Sequence, residues 1–466
     1  MWSLNPSSRL SLYKQTIALV EKNIASGRLA PGERLPAERE LARMLGVNRS
    51  TVIRAMDEMA DRGVLVRRRG SGTYVNSEKW GVQNYALLNW QGPSAVVPTK
   101  REAAFHRVAA IMREEAARYK ARFDDLSGDG PAPDLLPDMP FPRRSWEEVV
   151  AAERTDEAAR LGLPSLRQSV RRFLEETRSL SVPFEEILIT TGSRQSLFLI
   201  TQCLLRPGDA VGVEAPSYFY SLPVFQAAGL RLFALPVDSG GVSVAGLENA
   251  ARRRPLKMIF LNPVFHNPTG SVMKDARKKA VLSFCARARI PVVEDDAYGL
   301  LDFGEKRDLS PIKAHDKQDQ VIHIGSLSSY AGRNLRAGWL AAPPAVIGKL
   351  ADVRLMMDAG LGVLPQILAA EYLDHAAAGH LPNVREALAR RAKALASRLG
   401  ELFGNRLDID PPPGGLFTYA VMRHGGEEAY ASVQRDLLRN GLLPALGEAF
   451  GDPRGAFRFN HGMFGE

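Results

Sequence analysis

Pro291-Val292-Val293-Glu294-Asp295-Asp296-Ala297-Tyr298 is a short apolar run that ends in three carboxylates and a phenol. A short apolar run of this kind reads as a strand. Its counterparts are Ile187 to Thr190, Ala210 to Val213, Met258 to Leu261 and Val321 to Ile324, with helical patterns between them. Strands alternating with helices predict an α/β unit with a mostly parallel sheet. Ligands of such sheets collect beyond the carboxyl ends of the strands, so the residues after each run are the candidates for chemistry.

Five such places carry it. Thr191-Gly192-Ser193-Arg194-Gln195 is a glycine turn entering an apolar helix, where free N–H groups and the helix dipole favour a phosphate. Ala215-Pro216-Ser217-Tyr218 sets an aromatic ring beyond the second run, and Asn267-Pro268-Thr269-Gly270 closes the loop after the third. Asp295 suits a protonated ring nitrogen, with Tyr298 three residues on. Gly325-Ser326-Leu327-Ser328 follows the last run, and Arg336 offers a bidentate phosphate clamp. An ordinary reading stands against each: Asp295 as a satisfied strand-end carboxylate, Tyr298 as core, Arg336 and Arg458 as ion-pair partners.

In this order and spacing the pieces resemble the fold-type I aminotransferases over residues 124–466, a family that works with pyridoxal 5'-phosphate. The resemblance implies that Ser193 and Arg194 lie at the cofactor phosphate, Arg194 standing where many relatives have glutamine. Ser326, Ser328 and Arg336 would complete the phosphate cup, and Tyr218 would stack on the pyridine ring. Asn267 and Tyr298 would hydrogen-bond the ring's 3-hydroxyl, and Asp295 would keep its nitrogen protonated. Phe457-Arg458-Phe459-Asn460 resembles the segment whose arginine binds a substrate carboxylate, which makes Arg458 the effector anchor. One position departs. These enzymes carry the Schiff-base lysine directly after the second serine, seven residues before the clamp arginine, and here that position is Ser329. A hydroxyl does not replace the amine that captures the cofactor and shuttles protons, and Lys274 and Lys313 fall in other loops. The expectation is a unit without competent transamination, its cofactor held noncovalently or lost.

The chain's 466 residues leave room for a smaller module before this unit. Charge points to its role. Residues 1–122 carry 21 Lys and Arg against 11 Asp and Glu, an excess of ten that accounts for the whole net charge of +9. Localised positive charge suits a phosphate-backbone binder, because neutralising phosphates releases condensed counterions. Leu12 to Ile24 reads as a helix, and Pro36 stands in the first turn of a second helix running through Leu41-Ala42. After Gly46-Val47, Asn48 is expected to cap a third helix, Arg49 to Asp61. Val64-Leu65-Val66, a turn containing Arg67, Arg68, Arg69 and Gly70-Ser71-Gly72, and Thr73-Tyr74-Val75 form a wing. The start of the third helix places Arg49, Ser50 and Thr51 at base edges, the wing residues through Gly72 at the DNA backbone or minor groove, and Arg34 and Arg39 at phosphates.

The Pro31-Gly32-x-x-Leu35-Pro36-x-Glu38-Arg39-x-Leu41-Ala42 run, the Asn48 to Val52 helix start and the Gly70-x-Gly72-Thr73-x-Val75 ending resemble the GntR family of winged helix-turn-helix regulators. The domains expected are 1–78, a DNA-binding domain; 79–123, a linker with a basic amphipathic helix over Arg101 to Phe123; and 124–466, the aminotransferase-like domain. Their union resembles the MocR subfamily of bacterial regulators. That resemblance implies a homodimer on a double-stranded DNA operator, with an amino-acid-like or B6-vitamer effector. Two rivals remain: an aminotransferase carrying a DNA-binding domain, and a regulator whose large domain is a cofactor-free dimerisation scaffold. Cys203 and Cys285 sit in apolar sequence and are expected as buried, reduced thiols rather than a disulfide or metal site. With no leader or spanning pattern in view, a cytoplasmic location is expected.

Overall fold

A computed structural model describes residues 4, 10–25, 29, 32–68, 70–76, 123–139, 145–152, 156–304 and 309–465. Arg69 and, apart from Phe123, the basic helix expected over Arg101 to Phe123 lie outside them. Contacts divide the chain into two units, Met1–Val97 and Pro98–Glu466.

In the first unit three helices, α1 (Leu12–Ala25), α2 (Glu38–Leu45) and α3 (Arg49–Asp61), precede a hairpin of β1 (Leu65–Arg68) and β2 (Gly72–Val75). One face of each element supplies the core: Ile17 and Val20, Leu41 and Leu45, Val52, Met56 and Met59, Leu65 and Val75 are all buried. Gly46 ends α2 in the left-handed region (φ 65°) and gives its N–H to the Ala42 and Arg43 carbonyls. Glycine adopts that conformation without a Cβ penalty, so the chain turns at once into α3. Three expectations need correcting. Pro36 precedes α2, which opens at Glu38 after Ala37. Asn48 holds the N-cap position of α3, but its side chain makes no capping bond. Arg67 and Arg68 belong to β1 and not to the turn, because Arg68 pairs with Gly72 in the antiparallel register.

The second unit is built on an eight-stranded sheet. In chain order its strands are β3 (Ile187–Thr190), β4 (Ala210–Ala215), β5 (Arg231–Asp238), β6 (Gly241–Val242), β7 (Met258–Leu261), β8 (Val292–Asp295), β9 (Val321–Ser326) and β10 (Gly338–Ala341). Across the sheet the order is β3-β10-β9-β8-β7-β4-β5-β6. Strands β9, β8, β7, β4 and β5 run parallel, and β10 is antiparallel to both neighbours. Every residue of β3, β7, β8, β9 and β10 is buried, as expected of strands covered on both faces. Alternate residues feed two cores: Met258 and Phe260 join one, Ile259 and Leu261 the other. A smaller antiparallel sheet of β11 (Leu407–Asp410), β12 (Phe417–Met422), β13 (Ala445–Leu446) and β14 (Ala456–Asn460) has the order β11-β12-β14-β13. Among the described residues no helix is long and apolar enough to cross a membrane.

Two glycines set how tightly the site end of the large sheet closes. A Cβ on Gly338 would lie 2.7 Å from the Gly325 carbonyl oxygen and 2.8 Å from Gly192 Cα. A Cβ on Gly325 would run into the Trp339 indole. Backbone atoms cannot yield as a flexible side chain can, so Gly338→Ala should push the Gly192 turn off β10. The expected cost is about 1–3 kcal/mol, read as a lower melting temperature of the second unit with far-ultraviolet circular dichroism retained.

Candidate functional site

The first unit presents its polar face at the start of α3, where Arg49 and Ser50 are exposed and Thr51 half-buried. Arg49 Nη2 lies 3.1 Å from Glu38 Oε2 on α2. Arg67 meets the same carboxylate at 3.4 Å and Asp57 at 2.8 Å. Arg34 bridges to Tyr74 on β2, and its guanidinium lies so close over Gly72 that a Cβ there would be 2.8 Å from Nε. Arg68 stacks its guanidinium 4.9 Å from the Tyr74 ring centroid. Arg34, Arg68 and Gly72 therefore share the wing with Tyr74, while Arg67 leans back onto the helices. Arg39 is exposed on α2.

In the large unit, β3 leads into Thr191-Gly192, and Ser193 opens the helix α4 (Ser193–Leu204). The first N–H groups of a helix have no partner within it, which gives this end a positive field. Opposite, Ser326 ends β9, and Ser328 gives its N–H to Ser326 Oγ at 3.2 Å. A Cβ on Gly192 would sit 3.6 Å from Ser326 Oγ, 3.7 Å from Ser328 Oγ and 4.0 Å from Arg336 Nη1. Two hydroxyls and a guanidinium thus converge on the space that the absent side chain leaves. Arg336 is held in the left-handed region (φ 49°), an unfavourable backbone for arginine, and Nη2 also bonds Thr191 Oγ1 at 3.4 Å. Arg194 is exposed beside this end. The donor set fits a phosphate dianion.

Three consecutive carboxylates leave β8, and their surroundings differ. Glu294 accepts N–H bonds from Ile312 (2.5 Å) and Lys313 (3.1 Å) and faces His323 Nδ1 at 3.3 Å. Asp296 is held bidentately by the buried Arg178 at 2.9 and 2.8 Å. Among the described residues no cation bonds Asp295: the Tyr218 hydroxyl donates to Oδ2, and Oδ1 is buried with no hydrogen-bond partner among them. Burial pushes its carboxyl up to about 6. An unpartnered, buried acceptor at a strand end fits a protonated ring nitrogen. The Tyr218 hydroxyl is thus engaged by Asp295, a bond that the sequence reading did not foresee, because a desolvated carboxylate draws the nearest hydroxyl.

Asn267 and Tyr298 lie together, Asn267 Nδ2 donating to the Tyr298 hydroxyl at 3.2 Å. Arg458, on β14 opposite Tyr419 of β12, is 1% exposed. Its Nη1 bonds Asn267 Oδ1 at 2.9 Å and its Nη2 the Ser127 carbonyl at 2.8 Å. Phe417 and Phe450 flank the guanidinium at 4.2 and 4.7 Å. Asp129 Oδ1 completes the set at 2.8 Å. Ser329 is buried beside Ser328, 6% exposed. Cys285 is buried and Cys203 half-buried, both free.

Several residues that shape this site escaped the sequence reading. Glu214, inside β4, accepts the Asn262 N–H at 2.7 Å. Asn262 in turn bonds the Asp295 carbonyl and accepts the Asn267 N–H, each at 2.7 Å. A carboxylate in the middle of an apolar strand was the available signal for Glu214. Asp129 between two glycines offered none.

Residues 153–463 match the family described as aminotransferase class I and II, and residues 12–75 match the bacterial regulatory proteins of the gntR family. The chain is 34% identical over 425 residues to YisV, an HTH-type transcriptional regulator of Bacillus subtilis, covering 90% of this chain and 86% of that one. Among solved structures, kynurenine aminotransferase of Pyrococcus horikoshii superposes with a TM-score of 0.64 at 27% identity, over 75% of this chain and 88% of that one. LysN, an α-aminoadipate aminotransferase of Thermus thermophilus complexed with N-(5'-phosphopyridoxyl)-L-leucine, gives 0.61 at 27% identity, over 75% and 89%. A gntR-family reader joined to an aminotransferase class I and II unit makes a transcription regulator of the MocR type, and this chain belongs to that family.

Proposed function

We propose that the large unit binds pyridoxal 5'-phosphate, its amine form or an adduct of it without a covalent bond. This ligand sets how a homodimer of the chain engages its DNA operator. The observation that carries the reading is the convergence of Ser326, Ser328 and Arg336 on the space beside Gly192, with the unpartnered Asp295 Oδ1 buried at the end of β8. When bound, pyridoxal phosphate supplies an electron-withdrawing ring and an aldehyde that condenses with amines.

The residues divide the work of holding it. Ser193 and Arg194 at the start of α4, with Ser326, Ser328 and Arg336, hold the phosphate. Asp295, as the carboxylate, keeps the ring nitrogen protonated, while Tyr218 orients that carboxylate and covers the ring. Asn267 and Tyr298 hold the 3-hydroxyl. Ser329 stands where the enzymes have their lysine, and a hydroxyl orients a ligand without capturing it. Lys313 does not substitute: its ammonium bonds the Val321 carbonyl at 3.2 Å, at the opposite end of β9 and about 16 Å from Ser326. Binding without turnover is what a sensor requires. The ligand's differential affinity for two geometries of the dimer would then shift operator binding.

At the DNA, Arg49, Ser50 and Thr51 read base edges, and Arg34, Arg39, Arg67, Arg68, Arg69 and Gly72 serve the backbone or the groove beside the wing.

Three measurements test this. Titration of the chain with pyridoxal phosphate should show saturable quenching of protein fluorescence without covalent capture. In the Ser329→Lys variant a new band near the visible edge should appear. No saturable binding to the original chain would overturn the pocket reading.

The second concerns Asp295 in the ligand-free chain. Its folded carboxyl, near 6, lies above the ordinary 3.8. The associated stability is therefore fully present below about 3.8 and lost as pH rises through about 6. Asp295→Asn should be more stable at pH 8 by on the order of 3 kcal/mol, read as a higher melting temperature, and lose that advantage by pH 4.

The third uses duplexes selected by the chain from a random-sequence library. Arg49→Ala should bind the selected sequence roughly 10–100-fold more weakly while random duplex is bound nearly as before. An unchanged ratio would remove Arg49 from base reading.

A further inference from the structure

Arg458 is buried and bonds Asn267, itself the partner of Tyr298, yet it already holds a carboxylate. Asp129 Oδ1 lies 2.8 Å from Nη2, and the segment that carries it is anchored at several points. Arg458 Nη2 also bonds the carbonyls of Ser127 (2.8 Å) and Gly128 (3.4 Å). Asn460 Nδ2, two residues along β14, bonds the carbonyls of Gly128 (3.1 Å) and Gly130 (2.7 Å). The Asn460 N–H bonds the Leu126 carbonyl at 2.8 Å. Gly130 leaves space for Arg333, whose Nε would lie 2.5 Å from a Cβ there. Alternate residues of one strand thus hold residues 126–130 against the pocket and aim Asp129 at Arg458. The Asp129 charge is also felt at Tyr298, where, after burial, it helps push the phenol up.

We propose that Asp129 fills the carboxylate position of Arg458, so that the pocket selects phosphopyridoxyl ligands whose amine side carries no carboxylate. The proposal rests on the pocket reading above and narrows its ligand. Two facts give the selection. A ligand carboxylate reaching Nη2 has to displace an intramolecular carboxylate already in place, whose local concentration exceeds that of any free ligand. If Asp129 stays, two like charges share one guanidinium, which disfavours the second. An amine or a bare cofactor meets neither obstacle, because the Arg458–Asp129 pair is neutral as it stands. Asp129 is half exposed (49% for the side chain), so the carboxylate that would have to be displaced is reachable from outside the core although Arg458 is buried.

The test compares two probes that differ only in the carboxylate: N-(5'-phosphopyridoxyl)-L-leucine and N-(5'-phosphopyridoxyl)-3-methylbutylamine. Calorimetric titration of the full chain should give at least a tenfold preference for the amine probe, the size expected for one charge-assisted bond. Asp129→Asn and Asp129→Ala should each bring the ratio of the two affinities to about twofold or reverse it. A leucine probe bound by the original chain as tightly as the amine probe would overturn the inference, as would a preference that survives in both variants. The two readings fail differently. If pyridoxamine 5'-phosphate and both probes leave the original chain unbound, the pocket reading itself falls. If pyridoxamine 5'-phosphate binds but the probes are not discriminated, only the role of Asp129 falls.

Discussion

The site depends on how closely two pieces of backbone meet. Gly192, at the end of β3, and Gly338, at the start of β10, approach so nearly that a single added carbon at Gly338 would touch Gly192 Cα. That approach is possible because β10 runs antiparallel between β3 and β9, which brings the start of one strand beside the ends of two others. The α4 N-terminus, Ser326 and Ser328 then lie side by side around Gly192. Widening the contact would separate donors that come from three elements distant in sequence. The pocket's polarity is thus a consequence of sheet order before it is a matter of side-chain choice.

Much of this was legible in the sequence. The buried strands announced themselves as continuous apolar runs, and Met258 to Leu261 has the bounds expected. Asp295, Asn267, Tyr298, Ser326, Ser328 and Arg336 lie at strand ends where ligands of parallel sheets collect, so their grouping followed from period and polarity. What stayed hidden was pairing between distant residues. Nothing in Gly128-Asp129-Gly130 says that Arg458 lies opposite, because the contact is made by β14 reaching back over more than three hundred residues. Tyr218 donating to Asp295 is of the same kind. The sequence named both groups, but only the fold decides whether a phenol meets a carboxylate edge-on or covers a ring.

The carboxylates around the site show why composition alone misleads. Glu294, Asp295 and Asp296 are adjacent and chemically alike, yet backbone N–H groups answer the first and Arg178 the third. Only the middle one is left with a bare oxygen. The alternation of a strand's faces, continued into the turn, separates them.

In the first unit, Glu38 sits between Arg49 and Arg67, and under the role proposed for Arg49 that placement bears on discrimination between sequences. A guanidinium paired with a protein carboxylate displaces fewer of the counterions condensed on an arbitrary duplex, so it adds less to the salt-dependent grip that any DNA provides. Where base edges offered Arg49 a better partner than Glu38, the exchange would be favourable and the complex would last longer. One carboxylate on α2 would thereby weaken holding everywhere while leaving a matched sequence its advantage.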